Sequence, residues 1–206
     1  KRLGFFEPLP LELVEVEHAA PLLPPKWTDL STMTISFGHG IAVSPVHLAA
    51  AFATLAGGGK RVLPTLIKGG AEPTERVFSP ETARTMMRII REVVRRGTGR
   101  RTNVPGYEVG GKTGTADKVR PGGGYYKNRV IATFASVFPT SNPRYALVIS
   151  LDEPVDRSGP VIKREASRTA VPVTAAAIER IAPLLGMRPL PVSRPTGFAT
   201  FAAGGQ

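Results

Sequence analysis

The stretch Gly110-Gly111-Lys112-Thr113-Gly114-Thr115-Ala116 constrains the fold more than any other part of the chain, because glycine and β-branched threonine together disfavour a helix. Two structures compete for it. Counted from Gly106, the residues through Lys112-Thr113 fit the phosphate-loop pattern G-x-x-x-x-G-K-[ST]. Such a loop needs a buried strand running into its first glycine and a helix starting at the Lys-Thr, whose N–H groups hold the phosphates. Here Arg100-Arg101-Thr102-Asn103-Val104-Pro105 precedes Gly106, and Gly114 and Pro121-Gly122-Gly123-Gly124 follow. The first run is polar and ends in proline, and the second cannot sustain a helix. The nucleotide reading is the weaker one.

An extended reading suits the same residues. Tyr107 and Val109 alternate with Glu108 and Gly110, and small residues and threonines carry the pattern to Ala116. A strand is therefore expected over Gly106–Ala116. Glycine in a strand lets a second extended chain approach closely, so a peptide can add alongside it. The Lys112 ammonium and the Thr113 and Thr115 hydroxyls are donors suited to a carboxylate, and a backbone N–H there can stabilise an oxyanion. Strict alternation puts Lys112 on the face opposite Thr113 and Thr115. The strand must twist at a cleft edge if all three are to serve one site.

The flanking segments supply the rest of a fold. Ser44 caps and Pro45 opens a helix that Gly57-Gly58-Gly59 ends. Ser79 and Pro80-Glu81 begin a second helix with Ala83, Met87, Ile90 and Val94 on one face, a basic last turn at Arg95-Arg96 and a stop at Gly97. Val130–Phe138 and Tyr145–Leu151, joined by a short turn, predict an antiparallel hairpin. A final helix is expected over about Arg168–Leu185, with Val173, Ala177, Ile181 and Leu184 on one face. The first thirty or so residues read as irregular apart from Leu11–Glu17, whose alternation suggests a short exposed strand. From Gly186 the chain is rich in proline and glycine and is expected to be mobile.

Composition narrows the chemistry. The 206 residues, 42% of them hydrophobic, are enough for one domain or a large part of one. The chain begins with Lys1, which suggests processing or a longer parent protein, and Ile41–Ala56 is too short and interrupted to span a bilayer. With no cysteine there is no thiolate chemistry, and no spacing of metal ligands is visible, so neither metal nor cofactor is expected. The net charge of +11 gathers most densely at Arg95-Arg96 and Arg100-Arg101, with no stacking aromatic beside it. That argues against nucleic acid and for a solvated helix end, with some attraction for anionic substrates or envelope polymers. His18, His39 and His47 lie in no catalytic pattern, and no G-x-S-x-G is present.

Several blocks in order carry a resemblance. Ile35-Ser36-Phe37-Gly38-His39-Gly40-Ile41-Ala42-Val43-Ser44-Pro45, then Arg96-Gly97-Thr98-Gly99, Val104-Pro105-Gly106-Tyr107 and Gly111–Ala116 resemble the class B penicillin-binding proteins, the cell-division type above all. Val130–Ala135 and Arg144–Ile149 are similar to the two strands that follow in that family. The likeness runs from about Leu3 to Met187. It implies an α+β fold, an antiparallel sheet packed with helices, of which residues 1–187 form the C-terminal portion of a transpeptidase domain and 188–206 a flexible tail.

The same resemblance implies a function. Its members are serine D,D-transpeptidases that cross-link peptidoglycan stem peptides ending in D-Ala-D-Ala, are acylated by β-lactams, work at the periplasmic face of the bacterial inner membrane, and associate with divisome membrane proteins. By that analogy Lys112 and Thr115 are catalytic, Lys112 electrostatically and Thr115 through its N–H in the oxyanion hole. Thr113, Gly114 and Thr115 bind the substrate carboxylate, and Pro121–Tyr125 forms a mobile loop by the cleft. The family also uses Ser-x-x-Lys and Ser-x-Asn, and neither occurs in this sequence. The chain alone is thus expected to be inactive. A non-catalytic envelope module built on the same scaffold stays open as the alternative.

Overall fold

A computed structural model describes residues 1–18, 20–70, 72 and 75–191. Three antiparallel strands, β1 (Gly110–Val119), β2 (Tyr125–Phe138) and β3 (Tyr145–Asp152), form a sheet in the order β1-β2-β3. Four α-helices accompany it: α1 (Asp29–Ser36), α2 (Pro45–Ala56), α3 (Pro80–Arg96) and α4 (Ala170–Leu184). Alternation along β2 sends side chains to both faces of the sheet. Ala132, Phe134 and Phe138 pack with Val171, Ile178 and Ala182 of α4. Val137 packs with Met87 and Ile90 of α3 and with Phe52 and Leu55 of α2. The sheet is the middle of three layers, in keeping with the expected α+β class.

The two capped helices follow their end signals. Ser44 Oγ accepts from His47 N and Ser79 Oγ accepts from Thr82 N, each with proline at the first helical position. Ala83, Met87, Ile90 and Val94 are all buried on one face of α3, and the N–H of Gly97 closes that helix on Val93 O at 3.0 Å. The expected hairpin forms, with Phe138 opposite Tyr145 and Ile131 opposite Asp152.

Four expectations need correcting. Leu11–Glu17 makes no strand; Val14–His18 is a 3₁₀ turn, since alternation without a partner strand has no ladder to join. The irregular stretch expected to about Leu30 ends earlier, at Thr28, which caps an unforeseen α1 through a capping box in which Thr28 and Ser31 bond reciprocally. The strand begins at Gly110, not Gly106: Gly106 and Glu108 have φ of 82° and 42°, which turns the chain while leaving Tyr107 and Val109 buried. On α4 the buried residues are Ala170, Val171, Thr174, Ile178 and Ala182; of the expected face, Ile181 packs half-buried against the core and Ala177 is half-buried, whereas Val173 and Leu184 are exposed. Thr174 enters the core because its hydroxyl donates to Ala170 O at 2.8 Å. Residues 192–206, most of the tail expected to be mobile, lie outside the described residues.

Glycine positions β1 against the core. A β-carbon on Gly111 would stand 2.5 Å from Cζ of the fully buried Phe134 and 2.6 Å from Ala135 O; one on Gly99 would stand 3.2 Å from Phe134 Cε2. The Phe134 ring thus lies in a slot between two glycines, one on β1 and one in the turn after α3. Gly111→Ala in the full-length protein should cost about 1–3 kcal/mol through overpacking. Chemical denaturation measures it, and an unchanged midpoint would show that the slot has slack.

Candidate functional site

Lys112, Thr113, Gly114 and Thr115 occupy successive positions near the start of β1, opposite Ala135, Phe134, Thr133 and Ala132 of β2. The chain continues as strand to Val119, so no helix N-terminus follows the Lys-Thr, and the phosphate-loop reading is excluded. Among the described residues β1 has a single neighbour in the sheet. Its other edge carries the unpaired backbone groups that an added extended chain uses.

The two threonines point toward the α4 layer and are held there by distant parts of the chain. Thr113 Oγ1 lies 2.9 Å from Thr98 Oγ1, in the turn that follows α3. Thr115 Oγ1 accepts from Ala166 N at 3.0 Å, in the segment leading into α4. Each hydroxyl is therefore oriented by a protein partner and keeps bonding capacity for a ligand. Lys112 leaves the opposite face, as alternation requires. Its ammonium folds back along the strand and donates to Thr113 O at 2.7 Å. No twist is needed, because a four-carbon side chain reaches the edge from either face.

The glycines of β1 differ in what their missing side chains accommodate. A β-carbon on Gly110 would come within 2.5 Å of Thr140 Cγ2, so the fold itself demands glycine there, as at Gly111. A β-carbon on Gly114 would meet only Thr133 O, at 4.0 Å. Nothing in the described packing requires glycine at that position. Beside Gly114 the strand is bare, which suits close approach by another backbone.

At the far end of β1, Arg120 N donates to Gly124 O at 3.0 Å and closes the connection to β2. Tyr125, expected in a mobile loop, belongs to β2, and its hydroxyl lies 2.9 Å from His39 Nε2. That contact ties the loop to the Gly38–Gly40 turn. Lys118 donates to Asp152 at 2.8 Å and Glu153 at 3.0 Å, and these carboxylates hold its ammonium above the usual lysine range. His47 is buried between Ser44 Oγ at 2.8 Å and Glu7 O at 3.0 Å, a structural role that fixes the N-terminal segment on α2.

Sequence reasoning collected the four β1 residues because they are contiguous. It missed Thr98 and Ala166, which reach the strand from 15 and 51 positions away. Thr98 sits in the glycine-flanked Arg96-Gly97-Thr98-Gly99 block, and a lone threonine between two glycines is the one local signal it offered.

Residues 1–179 match the family described as penicillin binding protein transpeptidase domain. The probable peptidoglycan D,D-transpeptidase FtsI of Caulobacter vibrioides is 39% identical over 197 residues, covering 90% of this chain and 33% of that protein. Among solved structures, the apo transpeptidase domain of Burkholderia pseudomallei penicillin-binding protein 3 matches with a TM-score of 0.72 at 35% identity, over 83% of this chain and 52% of that one. Mycobacterium tuberculosis penicillin binding protein 3 in complex with ampicillin matches with a TM-score of 0.70 at 29% identity, over 85% and 43%. The chain spans about a third of the length of the curated relative from Caulobacter.

Thr115→Val removes the acceptor of the Ala166 N–H. Hydrogen exchange at Ala166 in the full-length protein should then accelerate roughly tenfold, the equivalent of about 1.4 kcal/mol. Unchanged protection would mean that this bond does not hold the segment before α4.

Proposed function

The chain belongs to the penicillin-binding protein transpeptidase domain family, and from that premise we propose that it forms one wall of the cleft of a serine-type peptidoglycan D,D-transpeptidase of the cell-division type. The observation that carries this reading is the open edge of β1, where Thr113 and Thr115 present oriented hydroxyls, Lys112 lays a cation along the backbone, and Gly114 is bare. A stem peptide ending in D-Ala-D-Ala adds to that edge as an extended chain. Its terminal carboxylate is held by Thr113 and Thr115, and Gly114 admits its backbone.

The chemistry is acyl transfer. A serine supplied by a Ser-x-x-Lys motif elsewhere in the full-length protein attacks the carbonyl of the D-Ala-D-Ala bond. The oxyanion is held by backbone N–H groups, that of Thr115 among them. The C–N bond breaks, the terminal D-Ala departs with the proton from the serine, and an ester remains. Lys112 lowers the energy of the negative charge that develops and orders the serine of a Ser-x-Asn motif. β-Lactams acylate the same serine. On this reading the protein works at the periplasmic face of the inner membrane in septal wall synthesis, among divisome membrane proteins. No helix of the described residues is long and apolar enough to cross a membrane.

Fluorescent penicillin tests the proposal. The full-length protein should form a stable covalent adduct, and Lys112→Ala should slow its formation by about 100-fold or more, as removal of one oxyanion-stabilising charge or donor does elsewhere. A polypeptide of these 206 residues alone, with neither serine motif, should remain unlabelled. Labelling that survives Lys112→Ala at full rate would remove β1 from the active site. A full-length protein that binds stem peptides without acylation would be an envelope-binding module instead.

A further inference from the structure

A cavity of about 390 Å³ lies between the turn after α3 and the segment leading into α4, with Arg96, Thr98, Arg100, Arg101, Ser167 and Arg168 among its lining residues. It is linked to the cleft wall directly through one lining residue and indirectly through the neighbour of another. Thr98, which lines it, bonds the Thr113 hydroxyl, and Ser167 follows Ala166, whose N–H bonds the Thr115 hydroxyl. The cavity therefore lies on the α4 face of β1, the face to which both threonines point.

Its charge is poorly balanced. Arg96 pairs with Glu92 at 3.3 Å, and Glu92 also takes Arg95 at 2.7 Å. Arg100, Arg101 and Arg168 form no ion pair and donate no side-chain hydrogen bond among the described residues. Asp156 is the nearby acid. Its carboxyl is held below the usual range first by hydrogen bonds from Ser158 and further by the charges of Arg168 and Arg101. One carboxylate, already bonded to Ser158 N at 2.9 Å, does not neutralise three guanidinium groups. Like charges converge on a concave surface only at a cost, which a bound anion relieves.

The geometry points to a basic subsite for a carboxylate of the acceptor peptide, a reading that rests on the transpeptidase function proposed above. The donor ends in the carboxylate held at Thr113 and Thr115, so it has no atoms to send beyond those hydroxyls. After the terminal D-Ala leaves, the molecule that takes its place is the amine-bearing acceptor. Its amine nitrogen forms the new C–N bond as the ester C–O bond breaks, and the proton lost from the amine returns to the serine oxygen. A carboxylate carried by the acceptor then reaches Arg100, Arg101 and Arg168, whose planar, multi-donor groups suit bidentate carboxylate binding. The cavity thereby selects acidic acceptors and aligns the amine for attack.

The test uses the full-length protein and two synthetic acceptor peptides that differ only in a side-chain carboxylate or its carboxamide. The transfer rate from a preformed acyl-enzyme is measured for each. Wild type should prefer the carboxylate acceptor by roughly tenfold or more in kcat/KM, equivalent to about 1.4 kcal/mol. Arg101→Gln with Arg168→Gln should reduce that preference to below about twofold, and Lys at both positions should restore part of it. A preference that survives the glutamine pair, or is absent from wild type, overturns the subsite. Penicillin acylation, run in parallel, reports on the donor side: a wild-type protein that does not acylate overturns the transpeptidase reading. Calorimetric titration with the two acceptors still decides the subsite in that case, since equal affinity for both would overturn it and a lost preference in the glutamine pair would support it.

Discussion

The Phe134 ring fixes the geometry on which the site depends. It is fully buried on the α4 face of the sheet, and two chain segments touch it only because each lacks a side chain at that point: Gly111 on β1 and Gly99 in the turn after α3. Placing both segments against one rigid ring brings Thr113 and Thr98 within 2.9 Å of each other. The ring also shares its cluster with Val94 of α3 and with Val171 and Ile178 of α4. The strand edge, the turn that orients Thr113 and the helix that carries the segment beside Thr115 are thus indexed to one hydrophobic contact set. Close packing transmits a displacement of any of them to the others.

Legibility in the sequence followed how local each determinant is. α2 and α3 have complete sets of end signals, and α3 has an uninterrupted apolar face, so both were readable from neighbours in the chain. α1 buries no residue on its own account, and without an apolar stripe its capping box has serine where the common signature has glutamate or glutamine. The face of α4 was misassigned because an apolar count passes over Thr174, which buries its hydroxyl in a bond to the preceding turn. The start of β1 was misplaced for a related reason. Tyr107 and Val109 are both buried, as alternation demands, but Glu108 reaches that pattern through a left-handed turn.

The site divides in the same way. Lys112, Thr113, Gly114 and Thr115 are a contiguous block whose residue types argue for one chemistry, and the resemblance to penicillin-binding transpeptidases draws on that block. The partners that orient the two threonines arrive through tertiary folding and carry no periodic signal. Arg95-Arg96 and Arg100-Arg101 read as a solvated helix end, which holds for Arg95 and Arg96, both paired with Glu92. Arg100 and Arg101 are exposed as well, but they also line one cavity with Arg168, from a segment nearly seventy positions later in the sequence. A charge cluster assembled across that separation cannot be inferred from either half.

The glycines of β1 show that one short strand meets two kinds of demand. Gly110 and Gly111 face inward constraints, since any side chain there collides with Thr140 or Phe134. Gly114 faces none from the described fold, yet it stands midway between two oriented hydroxyls on an edge with no partner strand among the described residues. Unpaired edges invite pairing with other chains, and proteins normally blunt them with charge or cover. Here Lys112 supplies the charge, but its ammonium lies along the backbone without blocking the strand beyond it. An edge bare at Gly114, with the Lys112 ammonium lying along the backbone, leaves room for an extended chain to pair there. On the transpeptidase reading proposed above, that combination suits the wall against which a peptide substrate would lie.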